Sequence, residues 1–128
     1  MLLLDTCVAI WLSTEQERLS AVVRAAIARS AGSLYVSGIT AFEFGLLRST
    51  GRVSSALDAE EWFSLLLENH GLHEIPVSGA IAARSTALPA IHKDPADRMI
   101  VATAVIRGLP IATPDGTIPK YPGVTTVW

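Results

Sequence analysis

The chain has 128 residues, of which 50% are hydrophobic and 17% charged. That length fits one domain over residues 1–128, because domains most often run to roughly 100–150 residues, and the apolar content excludes a disordered chain. Ten Lys and Arg against twelve Asp and Glu leave a net charge of −2, so the protein as a whole has no basic field for nucleic acid, although a local site can differ from the average. Cys7 is the one cysteine; it cannot form an internal disulfide and points to a reducing, cytoplasmic setting. No stretch approaches the roughly 18 apolar residues of a membrane span. The apolar opening run is broken at Asp5, so it reads as a first strand and not as a signal peptide.

In chain order, Leu2-Leu3-Leu4 predicts a buried strand. Ser13 and Thr14, each followed three residues later by Gln16 or Glu17, match the capping-box pattern and predict a helix over about residues 15–30. Leu34-Tyr35-Val36 predicts a second strand and residues 39–49 a helix stopped near Gly51. Ser55 with Asp58 predicts a helix over about 56–69, closed by His70-Gly71. A strand follows at 72–77, a helix at 78–88 ahead of Pro89, and a helix from Asp94-Pro95 to about Arg107-Gly108. Residues 110–113 and 124–128 close the series as strands. Short strands alternating with helices predict an α/β fold with a mostly parallel sheet.

Ligands of open α/β sheets bind beyond the carboxyl ends of the strands, which directs attention to acids at strand ends and on apolar faces. Asp5 abuts the first strand, where it can serve chemistry or cap a short following helix. Glu43 has Ile39 four residues before it and Leu46 and Leu47 after it, which puts a carboxylate in an apolar stripe. Burying such a group unpaired costs several kcal/mol or shifts its pKa by up to ~3–5 units. A buried ion pair with Arg48 or another arginine is the other reading. In Asp94-Pro95-Ala96-Asp97-Arg98, Pro95 suits the first helical position and Asp94 the cap. Asp97 could simply complement the helix dipole, but it shares a face with Ile100, Val101 and Ala104, which favours an inward acid. Asp115 lies in the turn sequence Pro114-Asp115-Gly116, at another strand end.

Two like charges ~4 Å apart repel by about 4 kcal/mol at an effective dielectric near 20. Four converging carboxylates would therefore be costly without a cation. Oxygen donors with no Cys/His set favour Mg²⁺ or Mn²⁺ over Zn²⁺. Such an ion activates water and polarises phosphoryl oxygens, which suits a phosphodiester substrate.

The order of these residues carries a resemblance. An apolar strand then Asp5-Thr6, Ser37-x-x-Thr40-x-x-Glu43, Asp94-Pro95-Ala96-Asp97-Arg98 entering a helix, Thr113-x-Asp115, then Tyr121 and Val127-Trp128 closely resemble PIN-domain proteins, specifically the VapC-type toxin ribonucleases. The resemblance spans nearly the whole chain, and the Asp-Pro-x-Asp-Arg block is its most specific piece. It implies a three-layer α/β/α fold around about four to five short strands. It also implies a Mg²⁺- or Mn²⁺-dependent endoribonuclease, a cognate antitoxin and a homodimer. By resemblance the acidic quartet falls on Asp5, Glu43, Asp97 and Asp115, with Asp5 and Asp97 as the main metal ligands. Glu43 would position or activate the attacking water, and Asp115 would complete the pocket. Thr6 and Thr40 fall where the family often has hydroxyls beside the acids. Pro114 departs from the pattern and could reorient Asp115.

Setting the quartet aside leaves ten basic against eight acidic side chains, a mildly basic rim. Arg98, Lys93 and His92 flank the start of the Asp97 helix and are candidate phosphate contacts, although Lys93 and His92 read more simply as solvated charges and Arg98 could pair with an acid. Trp11, Trp62 and Trp128 read as core or interface residues. Trp62-Phe63 and Leu65-Leu66-Leu67 make their helix apolar around most of its circumference, which predicts a partner chain on part of it. Other phosphate-handling α/β folds fit less well: a haloacid-dehalogenase-type phosphatase needs a second Asp where Cys7 stands, and a receiver domain needs an acidic pair near its start. A non-toxin PIN nuclease and a non-catalytic PIN-like binding module remain the alternatives.

Overall fold

A computed structural model describes residues 1–128. Five strands, β1 (Leu2–Leu4), β2 (Leu34–Ser37), β3 (Leu72–Ile75), β4 (Ile111–Ala112) and β5 (Thr126–Val127), form one sheet in the order β3-β2-β1-β4-β5. Every pairing is parallel. Six helices accompany them: α1 (Thr6–Thr14), α2 (Ala21–Arg29), α3 (Ile39–Ser49), α4 (Ala59–His70), α5 (Gly79–Ala87) and α6 (Pro95–Arg107). None of them is long and apolar enough to cross a membrane.

The pleat of β1 divides the core. Leu2 and Leu4 join Val8, Val23, Phe44 and Leu66 on one face, whereas Leu3 joins Ile100, Ile111 and Ile118 on the other. A sheet buried on both faces has no polar alternation, which is why Leu2-Leu3-Leu4 is uniformly apolar. The result is the parallel α/β sheet that the alternation of elements predicts, in the three-layer α/β/α arrangement that the resemblance implies.

From β1 the chain moves outward to β2 and β3, then returns to the opposite side of β1 for β4 and β5. The crevice between β1 and β4 is thus a topological switch point, where connections diverge to opposite faces and leave room for a ligand. Asp5 and Thr113 directly follow these two strands.

Two helix starts differ from the sequence reading. The predicted helix over 15–30 is replaced by α1, a 3-10 turn at Gln16–Arg18, and α2. Asp5 caps α1 through Thr6 N, and Ser20 caps α2 through Val23 N. Ser13 and Thr14 instead close α1, their hydroxyls donating back to the Ile10 carbonyl at 2.7 and 3.1 Å. After the 3-10 turn Leu19 is buried in the core, and α2 begins beyond it. Likewise α4 starts at Ala59, not near 56: Asp58 and Glu61 form its capping box, and the Ser55 hydroxyl accepts only from Leu57 N in the preceding turn. Gly71 ends that helix at φ +62°, a left-handed conformation that favours glycine.

The apolar circumference of α4 is mostly consumed within the domain. Trp62, Phe63 and Leu66 are buried, and the Trp62 ring stacks on Phe44 with centroids 4.0 Å apart. Leu65 is the large apolar side chain of α4 that stays exposed.

Candidate active site

Asp5 is almost fully buried. Its Oδ1 accepts from Thr6 N at 2.8 Å and its Oδ2 from the Thr113 hydroxyl at 2.6 Å. The capping and the site readings of Asp5 therefore describe the same carboxylate. Burial holds its pKa above the ordinary value, partly offset by the Thr113 and Thr6 hydrogen bonds. The neighbouring Cys7 thiol is also pushed up by burial and by the Asp5 charge.

Helix α3 carries Thr40 and Glu43 three residues apart, so both face the start of α1. The Thr6 hydroxyl donates to Glu43 Oε1 and lies 3.0 Å from the Thr40 hydroxyl. No arginine pairs with Glu43. Its pKa is raised by burial, opposed by the Thr6 bond and reinforced by Asp94 and Asp5. Gly38 begins α3 next to β3, and a Cβ there would lie 2.9 Å from Glu74 Oε2.

The start of α6 supplies two acids. Asp94 caps it, accepting from Ala96 N at 2.9 Å, and Pro95 occupies the first turn. Asp97, in that turn, has its pKa pushed up to about 7 by burial and then by the charges of Asp5, Glu43 and Asp94. Asp97 belongs to two close groupings, each with ligand atoms within 4.8 Å of one another: one with Glu43 and Asp94, the other with His92 and Asp115. Asp5 belongs to neither grouping, its oxygens being engaged by Thr6 and Thr113, but it lines the same cleft.

Pro114 does not turn Asp115 away. The Thr113 hydroxyl accepts from Asp115 N at 3.0 Å, and Asp115 Oδ1 accepts from Thr117 N at 2.7 Å. Burial alone would raise Asp115; the Thr117 N–H and His92 outweigh it and hold the carboxyl below its usual range.

Sequence reasoning passed over three residues. His92, read as a solvated charge, places Nε2 2.9 Å from Asp115 and 3.2 Å from Asp97. Its Nδ1 accepts from Asp94 N at 3.2 Å, which leaves the Nε2 proton facing the acids. Burial alone would lower this imidazole; Asp115 and Asp97 outweigh it and raise it. Asp94, read only as a cap, also stands in the cluster. Thr113, noted in the motif without a role, ties Asp5 to Asp115. The available signal was spacing: His92 lies two residues before the cap, and a threonine ends the strand beside β1.

Arg98, expected as a phosphate contact, is used otherwise. Its guanidinium donates to the carbonyls of Ser85, Leu88, Pro89 and His92 at 2.7–3.3 Å and lies 3.4 Å from the Tyr121 hydroxyl. It closes the end of α5 and the loop that carries His92. Five N–H donors in a rigid fork suit that task, and little is left for a substrate.

Asp5, Glu43, Asp97 and Asp115 all line one cleft of about 460 Å³. Thr6, Ile10, Trp11, Arg18 and Arg52 also line it. Hard oxygen donors that repel one another, three of them with raised pKa values, fit a divalent cation better than they fit one another. The clusters at Asp97 could hold such an ion.

An all-parallel α/β/α domain with a carboxylate-lined cleft at its switch point defines the class of protein. The chain belongs to the PIN domain family, whose pattern matches residues 2–124. It is 36% identical over 129 residues to Ribonuclease VapC22 of Mycobacterium tuberculosis, covering 98% of this chain and 97% of that one. Among solved structures it is similar to a toxin-antitoxin complex from Klebsiella pneumoniae, with TM-score 0.67 and 25% identity over 98% of this chain and 97% of the other. It also shares the fold of VapBC2 from Rickettsia felis bound to a promoter DNA fragment, with TM-score 0.71 at 13% identity over 98% and 96% of the two chains.

Proposed function

We propose that this protein is an endoribonuclease toxin that hydrolyses RNA phosphodiesters with a divalent cation, Mg²⁺ or Mn²⁺. The observation that carries this reading is the convergence of acids from four separate chain segments on one cleft, with Asp97 common to both close groupings. The 36% identity to a ribonuclease over nearly the whole chain supports it.

In this reading Asp97 would be the shared ligand of the ion, joined by Glu43 and Asp94 in one grouping or by Asp115 in the other, while Asp5 lines the same cleft. A bound divalent ion supplies Lewis-acid activation of water and of the phosphoryl oxygen. Thr6 and Thr40 fix the orientation of Glu43, so that its free oxygen can orient the attacking water and take its proton. Thr113 holds Asp5 and the Asp115 turn in register. The His92 Nε2–H faces Asp115 at 2.9 Å and Asp97 at 3.2 Å and holds the two carboxylates in place.

The partner in this reading is a cognate antitoxin, as in the toxin-antitoxin complex that this fold resembles. A homodimer working in the cytoplasm completes the proposal. Mapping cleavage sites on total RNA with and without EDTA tests it. Discrete cuts that vanish with EDTA and with Asp97→Asn are expected. RNA binding that is indifferent to divalent ions, with no cleavage, would instead mark a non-catalytic binding module.

A further inference from the structure

The cleft carries a second group of residues that the acid cluster does not use. Trp11, Arg18 and Arg52 line it together with the acids. The Arg18 guanidinium carbon lies 4.6 Å from the Trp11 ring centroid, and Glu15 holds the same guanidinium at 3.3 Å. Trp128 packs against Trp11 at 5.8 Å, with the two rings tilted by 54°. Arg18 is therefore braced by an indole and a carboxylate, while the rest of its side chain is exposed.

Arg52 is exposed and makes no ion pair and no side-chain hydrogen bond. It also lines an adjoining groove of about 440 Å³ with Phe42, Leu46 and Pro95, which shares Glu43 with the acidic cleft. Other arginines near the core are committed: Arg24 to the Leu19 carbonyl, Arg48 to the Ser55 carbonyl, and Arg98 to four carbonyls. Arg18 and Arg52 are the cations among the residues lining the acidic cleft, against the acids Asp5, Glu15, Glu43, Asp97 and Asp115.

A polyanion entering this cleft meets a surplus of negative charge, so its flanking phosphates need cations close by. A guanidinium stacked on an aromatic ring presents its outer plane to a further flat group, and unpaired bases stack on such planes. Resting on the nuclease reading above, we propose that Arg18, Trp11 and Arg52 form a strand-holding subsite for single-stranded RNA. An unpaired base stacks on the Arg18 plane backed by Trp11, and Arg52 takes a phosphate where the cleft opens into the adjoining groove.

Binding and turnover are measured separately. A short fluorescein-labelled single-stranded RNA of mixed sequence is titrated in Ca²⁺ against the full-length protein, Arg52→Gln, Arg52→Lys, Arg18→Lys and an Arg107→Gln control, each checked for folding by circular dichroism. Arg52→Gln is expected to weaken binding about tenfold and to lower the slope of log K against log salt by about 0.7. Arg52→Lys restores most of both. Arg18→Lys keeps the charge but removes the plane, and is expected to weaken single-strand binding about fivefold while leaving the salt slope unchanged. In cleavage assays with Mn²⁺ these losses fall on KM and not on kcat. Affinities and salt slopes equal to those of Arg107→Gln overturn the subsite. Binding losses as expected in a protein that cuts no RNA would leave the subsite standing and overturn the nuclease reading.

Discussion

The Thr113 hydroxyl donates to Asp5 Oδ2 at 2.6 Å across 108 positions of sequence. The bond joins the carboxyl ends of two neighbouring parallel strands, and Thr113 Oγ1 in turn accepts from Asp115 N at 3.0 Å. Thr113→Val keeps the shape and removes both functions. It is expected to cost about 1–3 kcal/mol, the penalty for leaving a buried acceptor unpaired. The midpoint of urea unfolding measures this, and a midpoint equal to wild type would show that Asp5 does not depend on Thr113.

Asp5 also caps α1, so its two roles can be separated by substitution. Asp5→Asn retains a capping oxygen and removes the charge; Asp5→Ala removes both. Cleavage of RNA should be lost in both variants. Only Asp5→Ala should carry an additional loss of about 1 kcal/mol from the missing cap. Equal thermal midpoints for the two variants would contradict this division.

The raised carboxyls make the metal-free protein sensitive to pH in a defined direction. Asp97 moves from 3.8 to about 7, and Asp5 and Glu43 are also raised. Over that interval the folded state binds more protons than the unfolded state, so these groups lower stability as pH rises from about 4 to about 7. His92, also raised, contributes stability that is lost as pH rises through its folded value. Asp115, held low, acts oppositely, with stability lost as pH falls through its folded value. In EDTA the urea midpoint should be higher near pH ~5 than near pH 7, the upper edge of that window. Mg²⁺ or Mn²⁺ at neutral pH should restore it, by about 2.7 kcal/mol at a hundredfold excess over Kd.

Asp97→Asn removes a carboxyl pushed up to about 7 and so part of the repulsion. Its metal-free thermal midpoint at neutral pH should exceed that of wild type, while cleavage falls by at least roughly 10²-fold. A variant that still cut RNA at the wild-type rate would remove Asp97 from the site.

Arg98→Lys tests a structural role. A single ammonium cannot span the carbonyls of Ser85, Leu88, Pro89 and His92 that the guanidinium bridges. The expected cost is roughly 2–3 kcal/mol in unfolding free energy, with RNA affinity unchanged once the protein is folded. Weaker RNA binding at unchanged stability would return Arg98 to the substrate.

Much of the architecture was written in local chemistry. Leu2-Leu3-Leu4 declares a strand covered on both faces, Asp94-Pro95 and Gly108 bracket α6, and Glu43 stands out because a carboxylate occurs in an apolar stripe. These signals depend on neighbours a few residues away, so a linear reading recovers them. Capping was less secure where two candidates competed: Ser13 and Ser55 have the right residues, but Ser20 and Asp58 have the right backbone.

Patterns along the chain were enough for a parallel α/β domain and for nominating the acids, because periodicity, caps and misplaced charges are properties of adjacent residues. Tertiary structure alone decided which charges meet. It drew His92 into contact with Asp97 and Asp115, committed Arg98 to backbone carbonyls, and set Trp11, Arg18 and Arg52 along the cleft. Those outcomes depend on how the sheet order folds distant segments onto one edge, and the free energy of a charge is set by the partners and the burial it finds there.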